Sequence, residues 1–555
     1  MPETVKIIAL GGLDEDGKNC ILVETNDDIF VIECGIRFPD KSMPGIDYVI
    51  PDFTYLKQRK DKVRAYFLLS GHDDEVGALA YIYDEAPAPV YGSDVSLGML
   101  KVFLTHIGKP NTMNLREVDP NATFKVNGRK IQFFQTAANI ARSNGVAIET
   151  AYGNVVFTGT YVVENNSSKN YYHNFRRIAE VSESAPTLVL MTESSYAERS
   201  GYTAPSYRVA PLIEQAIRDA KGRTFISMFA TNCFNIDEII SLAVQNRKKI
   251  IPYDEATAKT LSLMQAYGQL LIPRDNFAPL SELNQYKEED IIILVLGHGS
   301  KLFNKIALLS DPANKEKFLS IKESDTFILA SPHNNNTELV ATEALDELYR
   351  TGCKVLHLSK KQFVKMHASE EDLKTMISLF NPQYYIPVKG LYRALLANAM
   401  IALNMGIGLT HNRVFLLENG LTWYYDGIKP QLKDESIPHN GIMIDGIGVG
   451  DVSPMVLADR TKLAEGMVVV AVTLDKDNHQ VIAGPDIQIR GLSFPKDIDV
   501  VTRDLSNILL ETLASCFAEG RKMDDVKNIC HERLLRQVRR DSGKEPMVIP
   551  LIIEA

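Results

Sequence analysis

Leu68 to Ala80 reads LLSGHDDEVGALA and joins an apolar strand (Val63 to Leu69) to a helix through Ser70-Gly71-His72-Asp73-Asp74-Glu75. One imidazole and three carboxylates are thereby concentrated at the end of a strand, where backbone polar groups need partners and metal ions are often bound. The same residues have a plainer use. Acidic side chains in front of a helix cap its first amides and complement its dipole. The residues alone leave both readings open.

Outward from this turn, residues 1–205 read as alternating strands and turns with some helices. Strands are expected at Cys20 to Glu24, Ile29 to Cys34, Lys130 to Phe134, Val146 to Glu149 and Val155 to Thr158, with hairpin signals at Asn26-Asp27-Asp28 and Asn127-Gly128. From residue 206 the rhythm changes. A helix at Val209 to Ala220 leads into wholly apolar strands at Thr224 to Phe229, Lys249 to Pro252, Ile291 to Leu296, Thr326 to Ala330 and Lys354 to Leu358. Apolar strands separated by helices predict a parallel sheet covered on both faces, over 206–358. Residues 359–430 return to the first domain through a helix from Ser369 and a strand at Tyr384 to Val388. The Gly- and Pro-rich stretch 431–450 reads as a linker, and 451–555 as a small α+β domain.

At 555 residues the chain is too long for one core, and roughly two to four domains are expected. Hydrophobic content of 45% beside 23% charged residues is that of a soluble globular protein. The longest apolar runs are buried-strand length, far short of a membrane span, and no signal peptide is legible. Six scattered cysteines without a CxxC pair suggest reduced thiols in a cytoplasm. A net charge of −10 argues against nucleic-acid binding through overall charge, so any RNA contact must come from a local basic groove.

His-x-His-x-Asp-His between a strand and a helix is the signature of metallo-β-lactamase-fold hydrolases. The turn resembles it, with Ser70 at the first His, His72 at the second, Asp74 at the Asp and Glu75 at the last His. IIALGGLDEDGKN (7–19), DIFVIECGIRFP (28–39) and PGIDYVIPD (44–52) resemble the amino-terminal strands of bacterial ribonuclease J, a β-CASP-branch family. GVGDVSPMVLADR (448–460) and GPDIQIRG (484–491) resemble its carboxy-terminal domain, so the likeness spans essentially the whole chain. It implies an α/β protein: a metallo-β-lactamase αββα sandwich, an inserted β-CASP parallel α/β domain and a small C-terminal α+β domain. It also implies a role in rRNA processing and mRNA decay, RNA as partner, and assembly into a homodimer or tetramer through the C-terminal domain.

The resemblance would place seven metal ligands here, of which His72 and Asp74 match. Ser70, Glu75, Ala138 (in QTAANIARSNG), Thr160 (in TGTYVVE) and Lys389 (in PVKGLYR) are degenerate positions, and Glu33 replaces an Asp. A two-metal hydrolase needs about three protein ligands per metal with an open position for water. Ala138 has no donor atom, Thr160 removes a bridging carboxylate, and the Lys389 ammonium repels a cation. Lys389 is expected near Asp74 and Glu75, replacing part of the missing metal charge. What remains is no metal, or one weakly bound manganese or magnesium rather than zinc on His72, Asp74 and Glu75, with Glu193 as a further ligand.

Glu193 (in MTESSYAE) and His367 (in MHASEED) match the acidic and His motifs of the branch. The family's His sits beside the scissile phosphate, which makes His72, Asp74 and His367 the candidate catalytic residues. The family reads the RNA 5′ end just here through His-x-Ser-Gly-His. Phe363, Val364, Lys365, Met366 and His367 occupy that motif, so these residues, Ser369 and His333 are the RNA-binding candidates. Ser369 with Asp372 also reads as a helix capping box. LGHGSKL (296–302) and ASPHNNNTE (330–338) stand for two further phosphate-contacting loops, with His298 and Asn334 to Asn336 as possible contacts, although Asn runs are common in turns for local reasons. Lys527, Arg533, Arg536, Arg539 and Arg540 make the last helix basic, either as an RNA contact or as a solvated face. The degenerate site resembles that of the second paralogue many Firmicutes keep beside an active ribonuclease J, so the expected function is an RNA-binding subunit with weak or no nuclease activity, paired with the active paralogue. The alternative is a slow manganese- or magnesium-dependent 5′–3′ exoribonuclease with possible endonuclease action.

Overall fold

The computed structural model describes residues 2–40, 42–164, 170–311, 319–333, 337–446, 448–450 and 452–555. Asn334 to Asn336 lie outside them. The chain divides into one unit of residues 1–38 and 49–442 and a second of 39–48 and 443–555.

The first unit is built on two sheets whose apolar faces share a core. The eight-stranded sheet runs in the order Gln431–Asp434, Leu421–Tyr425, Val5–Gly11, Cys20–Thr25, Asp28–Ile32, Val63–Leu68, Val90–Gly92, Leu115–Glu117. The six-stranded sheet runs Tyr384–Val388, Thr187–Glu193, Gly153–Phe157, Asn144–Thr150, Arg129–Gln135, Thr123–Val126. Alternate residues explain the layering: Val146, Ile148, Val155 and Phe157 join Ile7, Phe30, Phe67 and Trp423 between the sheets. Their neighbours Ala147 and Val156 face outward with Phe134, Leu190 and Tyr385, against Ile178, Val181, Leu373, Met376, Ile377 and Phe380 on helices Phe175–Ser184 and Glu370–Phe380. Trp423, the single tryptophan, is fully buried between the sheets, so its fluorescence reports unfolding of this layer.

Residues 224–357 carry a separate five-stranded, all-parallel sheet, ordered Lys249–Pro252, Ile291–Gly297, Thr224–Phe229, Thr326–Leu329, Lys354–His357. Ile292, Leu294 and Leu296 bury on one face while Ile291, Ile293 and Val295 bury on the other. That two-sided burial is why the sequence shows no polar alternation there. The stretch read as a linker is partly ordered: Gln431–Asp434 pairs antiparallel with Leu421–Tyr425. Three of its four side chains, Gln431, Lys433 and Asp434, are polar, in keeping with a strand at the sheet edge.

In the second unit, Met467–Leu474 lies between Val481–Arg490 and Met547–Glu554. Helices Ile498–Ala518 and Met523–Ser542 cover one face through Val501, Leu505, Leu509, Val526, Cys530, Leu534 and Val538. The first helix is capped by Asp497, whose carboxylate accepts from the Asp499 amide. Its opening Ile-Asp-Val-Val-Thr is β-branched and partly exposed, which hides the helical period. Val481–Arg490 accommodates Pro485, which lacks a ladder N–H, because it is an edge strand where one is not needed. All six cysteines are buried and unpaired. No helix among the described residues is long and apolar enough to cross a membrane.

Candidate functional site: a lysine-centred cluster

The turn after Val63–Leu68 is held from below by the segment after Asp28–Ile32. The Cys34 amide donates to the Glu75 carbonyl (2.7 Å), Ile36 to Asp73 (3.0 Å), and Asn19 to Asp74 (3.2 Å). Gly35 is required for this approach, because a Cβ there would stand 1.6 Å from the Asp74 carbonyl oxygen. Gly35→Ala is expected to cost at least about 3 kcal/mol, the upper range of overpacking, read as a lowered urea midpoint in Trp423 fluorescence. A midpoint within error of wild type would show that this contact gives way freely.

The carboxylates of the turn point to different partners. Asp74 Oδ2 accepts from the Asn19 side-chain amide at 3.0 Å. Glu75, 1% exposed, binds Lys389 Nζ through Oε1 and accepts from the Thr160 hydroxyl at 3.0 Å. Lys389 Nζ lies 3.0 Å from Thr160 Oγ1 and 3.3 Å from Glu33 Oε2. Glu33 and Lys389 both have left-handed backbone (φ +57° and +56°), a conformation uncommon for side-chain-bearing residues that marks built sites. The Lys389 ammonium is therefore bonded to Glu75, Thr160 and Glu33. Asp74 stands near enough to act on the Lys389 charge, and its Oδ2 is held by Asn19, a residue unremarked in the sequence.

Burial by itself would make Lys389 lose its proton, but Glu33, Glu75 and Asp74 around it raise its pKa well above the ordinary value. For Glu75, burial pushes upward and is overridden by the Lys389 and His72 charges and by the hydrogen bond from Lys389, so its carboxyl is held low. Glu33 goes the other way: burial dominates Lys389's pull and raises it well above the carboxylate range. The closest ion pair is Lys389 with Glu75, and burial pushes Glu33 toward its neutral form. His72 is held below its usual value by burial, against the pull of Glu75 and Asp74.

Glu193, fully buried, supports the other wall. Its Oε1 accepts from the Tyr161 and Ala368 amides (3.0 Å each), and Oε2 lies 2.7 Å from His367 Nδ1. His367 is one-quarter exposed and packs edge-on against Tyr196, ring centroids 5.3 Å apart. Asn398, also unremarked in the sequence, anchors this wall by donating to the Glu193 carbonyl and Ser194 hydroxyl.

Several RNA-binding candidates are structural instead. Phe363, Val364 and Met366 are 4%, 7% and 2% exposed within the apolar core, because their side chains gain more from burial than a phosphate could return. Ser369 is fully buried, and its capping box with Asp372 is formed as expected. Both Asp372 oxygens are used, accepting from Val163, Thr203 and Ser369 amides. Lys365 is exposed, as are Lys360 and Lys361 in the same turn, and His333 is half-buried 3.9 Å from Glu338.

The residues present do not fit a resident metal. Glu75 is turned to Lys389 and Thr160, Asp74 to Asn19, and Ala138 is buried without a donor atom. Among the described residues no group of three or more His, Cys, Asp or Glu side chains could hold a metal ion. The single site expected on His72, Asp74 and Glu75 is corrected accordingly: the nearest cation to Glu75 is the chain's own ammonium.

Two packed sheets with an inserted parallel sheet, and a site at the strand ends of the sandwich, define the metallo-β-lactamase-type fold with a β-CASP domain. Residues 221–348 match the β-CASP domain of ribonuclease J, and residues 455–555 match the ribonuclease J C-terminal domain. Similar proteins include ribonuclease J 2 of Staphylococcus aureus strain NCTC 8325, 31% identical over 552 residues, covering 99% of this chain and 98% of that protein. Ribonuclease J2 of Bacillus subtilis strain 168 is 32% identical over 557 residues, covering 100% and 99%. The chain belongs to the ribonuclease J family. Among solved structures, a protein of unknown function from Enterococcus faecalis V583 shares the fold, with a TM-score of 0.51 at 15% identity over 76% of this chain and 100% of that one.

Proposed function

We propose that this chain is an RNA-binding ribonuclease J-type subunit without metal-dependent nuclease activity of its own, working in the cytoplasm beside a catalytically competent ribonuclease J. The observation that carries the reading is the Lys389 ammonium bonded to Glu75 and Thr160, at the positions where a hydrolytic member would hold metal. A hydrolytic member needs a metal-bound water near neutral pKa, and a buried ammonium in the same place supplies charge but no water. Support for RNA as the partner comes from family membership and from exposed Lys360, Lys361 and Lys365 beside His367. Association through the C-terminal domain, with itself or with the active relative, belongs to the same proposal.

A second reading is favoured by one feature, the intact His367–Glu193 pair, which would suit a slow exoribonuclease. One purified sample decides between them. Metal content and cleavage of 5′-monophosphorylated RNA are measured with and without manganese. The expected result is no bound metal and no cleavage, with RNA still bound at low salt. Stoichiometric metal and cleavage abolished by Asp74→Ala would establish the slow enzyme instead.

A further inference from the structure

Helix Met523–Ser542 buries the row Val526, Cys530, Leu534 and Val538. Arg533, Arg536 and Arg540, spaced i, i+3, i+7, fall on one flank of that row, and all three are exposed. They span about 10 Å along the axis at 1.5 Å per residue. Three other exposed cations of this domain are paired, Arg539 with Glu545 (2.5 Å), Lys496 with Asp541 (2.9 Å) and Arg521 with Glu519 (2.9 Å), while Arg503, Lys522, Lys527 and Lys544 are exposed, form no ion pair among the described residues and stand outside the row. Arg533 and Arg536 form no ion pair among the described residues, although Glu532 is their neighbour on the helix, and Arg540 donates only to the neutral Gln537. In a chain of net charge −10, three guanidinium groups in a row on one helix flank are a local concentration of positive charge. Guanidinium forks match phosphate oxygens and are weakly hydrated, which suits a polyanion that can follow the row.

We propose that this flank is a second RNA-binding surface, a sequence-independent phosphate track on the C-terminal domain. The inference rests on the RNA-binding reading above and adds a place for RNA distant in sequence from His367. Lys527 lies on the other side of the buried row and Arg539 is already paired, so neither belongs to the track.

The test uses the full-length protein and a short fluorescein-labelled single-stranded RNA, with affinity measured by anisotropy across a potassium chloride series. Every single-strand phosphate deprived of its cationic partner makes the slope of log K against log salt shallower by about 0.7. The triple variant Arg533→Gln, Arg536→Gln, Arg540→Gln is expected to bind more weakly at low salt, with a slope shallower by about 2. Lys527→Gln is expected to leave the slope within error of wild type. These side chains are exposed, and an unchanged far-ultraviolet circular dichroism melting curve confirms the fold of each variant. If wild type binds RNA and the triple variant keeps its slope, the track is overturned while the RNA-binding reading stands. An effect of Lys527→Gln on the slope equal to that of one arginine would overturn it too, showing general charge rather than a row. No binding by wild type at low salt overturns the RNA-binding reading itself.

Discussion

Lys389→Met is expected to destabilise the first unit by about 3–5 kcal/mol, because it leaves the Glu75 carboxylate buried without its cation. The cost should be largely specific to that stranded charge. Met fills most of the lysine stem's volume, and Glu33 is already pushed toward its neutral form by burial. Lys389→Met combined with Glu75→Gln should therefore recover most of the loss, since Gln keeps an acceptor for the Thr160 hydroxyl. Urea unfolding followed at Trp423 measures both. Equal stability of the single and double variants would mean that Lys389 contributes packing alone.

The same substitution should reverse the sign of the pH response. In the wild type the Glu75 carboxyl is held below its unfolded value, so the unfolded chain takes up more protons there. The resulting stability is complete above the ordinary Glu value, about 4.3, and is lost as pH falls through the depressed folded value. In Lys389→Met the largest charge opposing burial is gone, and burial raises the Glu75 carboxyl above its unfolded value. The folded chain then takes up more protons, and the variant gains stability as pH falls from that raised value toward about 4.3. Parallel pH profiles for the two proteins would contradict the assignment of charge to this pair.

How far this site can be read from sequence depends on what each residue answers to. The parallel sheet was legible because its strands, such as Ile291–Gly297, bury both faces and so lose polar alternation altogether. The Ser369–Asp372 cap was legible because its signal is local. That Lys389 meets Glu75 followed from charge and motif position, but its contact with Glu33 depends on two left-handed residues that no spacing rule reveals. Asn19 and Asn398 were invisible for a different reason: a buried amide acts only through partners remote in sequence, here Asp74 and Glu193. Phe363, Val364 and Met366 show the opposite error. Motif position named them for RNA, while their apolar chemistry already pointed to the core.

Replacing the five divergent positions together, as Ser70→His, Glu75→His, Ala138→His, Thr160→Asp and Lys389→His, is expected to create manganese binding that no single replacement creates. The reason lies in the coupling of the cluster. Lys389→His alone removes the buried ammonium but leaves Glu75 pointing at Thr160 and no donor at Ala138, so it should lose stability and bind nothing. The five changes together remove the Lys389–Glu75 pair as a unit, and they place donors around His72 and Asp74 on a scaffold whose backbone hydrogen bonds through Cys34 and Ile36 are untouched. Binding to the folded state then stabilises it by RT ln(1 + [L]/Kd), about 4 kcal/mol when the metal is at about a thousand times Kd. Equilibrium dialysis and urea unfolding with and without manganese read both quantities. Stoichiometric manganese on Lys389→His alone would show that the ammonium is the sole barrier to a metal and that the other four divergences are incidental. Metal on the fivefold variant only would show that the site changed as a cooperative set, with Lys389 stable in the core because Glu75 and Thr160 are there to receive it.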